Sequence, residues 1–495
     1  MSEAVRTSAE RIREAMPCSV AMPAGTGKTE IIASLAALAA KAGQRALILT
    51  HTNAGVEALR RRTRRFGVSA NAVRIETIAS WSHHLVRQYP QLAQVTAPAY
   101  PNWNESKVYY DGALLVLTSA IMRRVLPASY AFAVIDEYQD CTTRQHALVK
   151  AVGEMLPLSV FGDPMQAIFD FDADPLVNWA DVAGSWPTIA LTIAPWRWRG
   201  HNDDLGQWLI NVRDHFTFER PISLTETTAV RWIRAEANSY ASAVRVCRDL
   251  RNEHGTDTIV AIGRWARDCH GVASRLNGTY TVMETIEGED MVAFARTVDQ
   301  GNPYEVAAAT AQFGKDCASG VADYLTSTDV KKLRAGKTIT HLKRPGAEEA
   351  QSRLATLLDD PAPHRVRDAL TAIAALPRIR RYRHDAWSTI IKALSIAHTN
   401  NTAVEAAVVQ LRNQTRATGR VALPHVLART TLVKGLEYDH AVILNADAHT
   451  PTSLYVALTR PRKTLTIISQ DPHLSTATLA QPKPRRRVTA RPPLG

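Results

Sequence analysis

The segment Met22-Pro23-Ala24-Gly25-Thr26-Gly27-Lys28-Thr29 constrains this chain more than any other. An apolar stretch precedes it and, from near Glu30, an amphipathic helical pattern follows. A chain of phosphates needs several backbone N–H groups turned towards it. Glycines let the backbone come that close, and a following helix adds the positive end of its dipole. In such a loop Ala24, Gly25, Thr26 and Gly27 form the cradle, Lys28 reaches the β and γ phosphates, and the Thr29 hydroxyl ligates magnesium. The strict G-x-x-x-x-G-K-[ST] spacing would place a glycine where Met22 stands. The strand–loop–helix context therefore carries the assignment, with ATP and Mg2+ as the expected ligands.

A second signal fits the first. Val134-Ile135-Asp136-Glu137-Tyr138-Gln139-Asp140 is an apolar strand ending in clustered acids. After a phosphate loop, Asp136 is placed to hold magnesium through water and Glu137 to orient and deprotonate the attacking water. Around these motifs the first half alternates short apolar strands with helical stretches, the pattern of a parallel sheet covered by helices. Strands are expected at Ser19–Met22, Arg45–Thr50, Phe132–Ile135 and Ser159–Phe161. The alternation returns at Thr258–Ile262, His440–Leu444 and Thr464–Ile468. From 285 to 419 the sequence is Ala-rich, charged and helical in period. We find no internal repeat.

The chain has 495 residues, enough for several domains, and its 45% hydrophobic and 21% charged residues suit buried cores. Its formal charge of +12 favours a polyanionic partner, with nucleic acid first. Five separate cysteines, with no C-x-x-C pair, argue against a zinc ribbon, an iron–sulfur cluster or a disulfide framework. No apolar run is long enough for a membrane span, and the expected location is the cytoplasm.

Four further segments follow in one order: Gly162-Asp163-Pro164-Met165-Gln166-Ala167-Ile168-Phe169, Pro195-Trp196-Arg197, Lys434-Gly435-Leu436-Glu437-Tyr438-Asp439 and Tyr455-Val456-Ala457-Leu458-Thr459-Arg460. With the two motifs above, the series resembles that of UvrD/Rep/PcrA-like superfamily 1 DNA helicases, from about Ser19 to Ser469. The resemblance implies an α/β chain of two RecA-like parallel-sheet domains. The first would span 1–86 and 113–190, with a short accessory insertion at 87–112. The second would span 191–284 and 420–480, with a helical accessory domain at 285–419. A basic, disordered tail is expected at 481–495.

The resemblance also implies roles. Gln166 would sense the γ-phosphate, Trp196 would stack on the adenine, and Glu437 would lie near the ribose. Arg197 and Arg460 would reach the γ-phosphate from the second domain, and Lys434-Gly435 would form a conformational link. Thr52, Asn53 and Thr77 would contact a single-strand backbone, and Phe171 would stack on a base. The basic runs Arg60–Arg65, Arg378–Arg383 and Arg485–Arg487 are assigned no individual role.

The chain also departs from the family. No Gln precedes Gln44, so the family's adenine-reading glutamine is missing. The lead into the fifth motif reads Thr430-Thr431-Leu432-Val433, and the tryptophan–arginine after the third becomes Phe171-Asp172. Too little chain follows the last motif for a fused nuclease. The reading is an ATP-dependent translocase or helicase on single-stranded DNA or single-strand/duplex junctions, with 3′ to 5′ polarity implied by the family. Three alternatives stay open. One is a nucleotide-sensing subunit gating a partner nuclease in a DNA repair or anti-phage defence complex. The others are a translocase that strips proteins from DNA and an RNA helicase.

Overall fold

The computed structural model describes residues 3–98, 101, 103–169, 174–236, 240–285, 288–339, 346–418 and 423–477. It is a mixed α/β molecule with two parallel sheets. The first sheet contains β1 (Cys18–Ala21), β2 (Ala46–Thr50), β3 (Val73–Thr77), β4 (Phe132–Ile135) and β5 (Leu158–Gly162), in the order β1-β5-β4-β2-β3. β2, β4 and β5 are buried at every position, as expected of parallel strands covered on both faces. Successive residues then serve opposite layers. Leu47, Leu49, Ala133 and Ile135 pack with Trp81, Leu85, Ala113 and Leu148. Ile48, Val134 and Phe161 pack with Ile32, Leu35 and Leu59 on the other face.

Helices α1 (Glu3–Glu14), α2 (Lys28–Lys41), α3 (Asn53–Arg65), α4 (Ile78–Gln88), α5 (Ser106–Leu117) and α6 (Thr143–Gly153) cover this sheet. α2 corrects an expectation. It begins at Lys28 and is buried on nearly every side between α1, α3 and the sheet, so it is not amphipathic. Ala93 and Tyr110 share a core with Leu47 and Ile135. Residues 187–189 run beside β1, where Ser19 N–H donates to the Pro187 carbonyl and Ile189 N–H to the Ser19 carbonyl.

The second sheet contains β6 (Arg231–Arg234), β7 (Ile259–Gly263), β8 (Thr281–Val282), β9 (His425–Arg429), β10 (Tyr438–Ile443) and β11 (Pro461–Ser469), in the order β6-β11-β10-β7-β9-β8. Helices α7 (Asp203–Thr217), α8 (Ala266–Arg275) and α9 (Pro451–Leu458) pack against it. All pairings in both sheets are parallel, and the two units are RecA-like.

Between β8 and β9 the chain leaves the sheet and forms a helical block, with seven α-helices among the described residues, from Glu289–Gln300 to Val404–Thr418. The block has its own core, from Met291 to Val408. It is joined to the second sheet by a buried ion pair in which Arg383 Nε and Nη2 each donate to Glu284 at 2.7 Å. The tail at 481–495 lies outside the described residues. No single helix among the described residues is long and apolar enough to cross a membrane.

Candidate active site between the two sheets

The loop after β1 turns through two left-handed glycines, Gly25 at φ 72° and Gly27 at φ 96°. Side chains are excluded there by contact as well as by φ. A Cβ on Gly25 would lie 2.7 Å from the Trp198 ring, and one on Gly27 would lie 3.1 Å from Trp196 Cδ1. Ala24, Thr26 and Lys28 are buried, and Thr29 is half-buried at the start of α2. Lys28 Nζ donates to the Met22 carbonyl at 2.9 Å, and the Thr26 hydroxyl donates to the Pro23 carbonyl at 2.7 Å. The ammonium is thus held over the loop by a weak neutral acceptor that a phosphate oxygen would outcompete.

Asp136 and Glu137 follow β4 directly, and Glu137 adopts φ 55°, a left-handed conformation costly for a residue with a Cβ. Asp136 Oδ1 accepts the Glu137 N–H at 2.9 Å, and Gln139 Nε2 donates to Glu137 Oε2. The two carboxyls experience different fields. Burial and the adjacent Glu137 push Asp136 up to about 7, against Lys28. Burial would raise Glu137 as well, but Lys28, Lys434 and the Gln139 amide outweigh it and hold Glu137 below the usual range. Glu137 is therefore an ionised carboxylate among cations, a state suited to accepting a proton from water.

From the second sheet two arginines enter this site. The Arg197 N–H donates to the Gly25 carbonyl at 3.0 Å, which pins the Pro195–Arg199 segment onto the phosphate loop. Its guanidinium donates to the Thr459 carbonyl and, at 2.9 Å, to Glu437 Oε1. Arg197 beside Glu437 holds that carboxyl below its usual range. Arg460 is 1% exposed. It donates to the Val456 carbonyl at 2.8 Å, the Leu436 carbonyl at 3.2 Å, the Thr459 hydroxyl at 2.7 Å and, across the cleft, Gln166 Oε1 at 3.3 Å. Burial and the nearby Arg197 lower Arg460 to about 10, which leaves it charged at neutral pH. The side chain of Gln166, also buried, donates to Asp163 Oδ2 at 2.8 Å.

Trp196 lies with its edge against Gly27, and the Arg199 guanidinium sits 4.1 Å from the ring centroid. The structure therefore gathers Ala24 to Thr29, Asp136, Glu137, Gln166, Trp196, Arg197, Glu437 and Arg460 around one cleft.

The donor set fits a magnesium-bound nucleoside triphosphate. The loop offers a cradle with no room for a Cβ, and oxygen donors stand at Thr29 and Asp136. Arg197 Nε is buried without a hydrogen-bond partner, an orphan donor directed into an anion site. Among the described residues, His254, Asp257 and His440 also bring potential ligand atoms within 4.8 Å of one another. There the Lys463 ammonium already holds Asp257 at 2.8 Å, and the imidazoles stack 4.2 Å apart at 15°, so their lone pairs run side by side rather than converge on an ion.

Residues 3–172 match the family model described as an AAA domain. The match supports a P-loop nucleotide-hydrolase domain in the first unit. It spans the phosphate loop, the Asp136–Glu137 pair and Gln166, and stops short of the second unit. No curated protein matches the chain.

The nucleic-acid candidates divide differently. Thr52 and Asn53 are exposed at the carboxyl end of β2, with the Thr52 hydroxyl capping α3 through the Gly55 N–H. Thr77 is 7% exposed, and its hydroxyl accepts the Ser80 N–H and donates to the Ser80 hydroxyl, capping α4. Phe171 lies outside the described residues.

Gln139, Arg213 and Trp265 escaped the sequence reading. Gln139 orients Glu137, and its Oε1 accepts the Asp163 N–H at 2.9 Å. Lys434 crosses to Asp140 Oδ1 and the Gln166 carbonyl. Arg213, on α7, reaches Asp163 Oδ1 at 2.8 Å. At the carboxyl end of β7, Trp265 is 47% exposed with the Arg264 guanidinium 4.8 Å over its ring. Gln139 and Lys434 sit inside motifs already noticed. Arg213 and Trp265 carry no local signal.

Proposed function

We propose that this protein is an ATP-driven motor of the helicase type that moves along single-stranded DNA, with 3′ to 5′ polarity implied by its motif series. The observation that carries the reading is the reach of Arg197 and Arg460 from the second sheet to the phosphate loop and Gln166 of the first. Arginines supplied across a cleft stabilise charge on a transferring phosphoryl group only while the cleft is shut, and so couple hydrolysis to domain movement. Lys28 exchanges the Met22 carbonyl for phosphate oxygens, and Glu137 takes the proton of the attacking water. Thr29 and Asp136 would hold magnesium, which when bound neutralises phosphate oxygens. Support for a nucleic-acid track comes from the exposed Thr52 and Asn53 and from Trp265 with Arg264, because a stacked base contributes roughly 1–3 kcal/mol irrespective of sequence.

Steady-state ATP hydrolysis without nucleic acid and with single-stranded DNA, duplex DNA or RNA tests this. The motor reading expects strong stimulation by single-stranded DNA, weakened by Trp265→Ala. Slow hydrolysis that ignores all three polymers refutes it. That outcome would favour a nucleotide-sensing subunit that gates a partner nuclease, a reading supported by the helical block with its own core.

A further inference from the structure

Arg213 lies on α7 in the second unit, and its guanidinium is one of the side chains bridging the two units. Nη2 donates to Asp163 Oδ1 at 2.8 Å in the first unit, and Nη1 donates to the Tyr455 hydroxyl at 2.7 Å in the second. The Asp163 side chain is wholly buried and that of Arg213 is 20% exposed, so the pair is shielded from solvent. Asp163 is fully used: Oδ1 also accepts the Met165 N–H at 3.3 Å, and Oδ2 accepts Gln166 Nε2 at 2.8 Å.

The last bond has a geometric consequence. A primary amide has one donor end and one acceptor end. With Nε2 given to Asp163, Gln166 must turn Oε1 the other way, and it accepts Arg460 Nη2 at 3.3 Å. Tyr455 closes the circuit, since it stands on α9 five residues before Arg460. Tyr455, Arg213, Asp163, Gln166 and Arg460 thus form one run of contacts that crosses the cleft twice and whose two ends are joined through the chain.

We propose that Arg213 is a positioning residue for hydrolysis: by anchoring Asp163 it sets the amide orientation of Gln166 and thereby the place of Arg460 at the γ-phosphate. Without Arg213 the nearest other cation acting on Asp163 is Lys28, which the phosphates need. Asp163 would swing towards Lys28, and the Gln166 amide would lose its fixed acceptor. This inference rests on the hydrolase reading above.

The test compares wild type with Arg213→Ala, Arg213→Lys, Gln166→Ala and the Arg213→Ala/Gln166→Ala pair. The readouts are kcat, KM for ATP, and affinity for ADP–aluminium fluoride relative to ADP. Arg213→Ala should lower kcat about 10- to 100-fold with KM within about threefold, a loss of roughly 1.4–2.8 kcal/mol in the transition state only. Preference for the fluoride complex should fall in parallel, and lysine should restore part of both. The double variant should be little worse than Gln166→Ala alone, because both act through one amide. Losses that multiply, or an Arg213→Ala enzyme with normal kcat and analogue preference, overturn the proposal and leave the hydrolase reading standing. A wild-type chain that neither turns over nor prefers the analogue overturns both.

Discussion

At Asp136 and Glu137 adjacent carboxyls are driven apart by their surroundings. Burial raises the first to about 7, whereas Lys28 and Lys434 hold the second ionised. Glu137→Gln should therefore keep nucleotide binding, measured by equilibrium titration, while turnover falls about 10²- to 10⁴-fold, the usual worth of a positioned base. Asp439 illustrates a structural carboxylate. Burial would raise it, but the Thr258 N–H at 3.0 Å, the Thr258 hydroxyl and Arg462, each at 2.8 Å, hold it below the ordinary Asp range. A depressed folded value means that its stabilisation is present above about pH 4 and fades as pH falls from there. Asp439→Asn should cost about 1–3 kcal/mol at neutral pH and flatten the acid limb of the stability curve, as read by thermal melts across pH.

Elements are decided by what covers them. α2 reads as amphipathic in sequence, yet α1 and α3 enclose its outer side, so small residues such as Ser34, Ala36 and Ala37 become core. Of the strands that sequence reading missed, β3, β6 and β8 lie at sheet edges, whereas β9 is interior. β3 alternates as VRIET and β6 reads RWIR, because an edge has one covered face or less and lacks the apolar run of a central strand. The Pro195–Asn202 segment has no regular pattern, yet it binds the units together. Trp198 Nε1 donates to the Pro461 carbonyl and Asn202 Nδ2 to the Lys463 carbonyl, both at 2.7 Å, while Arg197 holds Gly25. Gly25→Ala would drive a methyl into the buried Trp198 ring at φ 72°. Nucleotide affinity should drop at least tenfold, with a lower melting temperature, whereas Gly43→Ala, whose Cβ meets nothing, should leave affinity unchanged.

The whole molecule is two RecA-like sheets plus a helical block with a separate core. Arg383 and Glu284, at 3% and 7% exposure, secure that block to the second sheet. Arg383→Ala removes the bidentate guanidinium from the buried Glu284, a loss on the order of 3–5 kcal/mol. Calorimetry should then resolve a helical transition below the main one, and a single unchanged transition would contradict the independent core. By itself the sequence determined most of the central strands, the phosphate loop and the Asp136–Glu137 pair, because each depends on local chemistry: apolar runs, glycines beside Lys28, acids at a strand end; Gln166, Trp196, Arg197, Glu437 and Arg460 came from the resemblance of the motif series. It did not disclose that the Thr77 hydroxyl caps α4, that Ala93 and Tyr110 join the first core, or that Arg213 meets Asp163 across 50 residues. Only tertiary structure decided these, because burial and cross-cleft hydrogen bonds depend on which segments meet, and no window of sequence contains both partners.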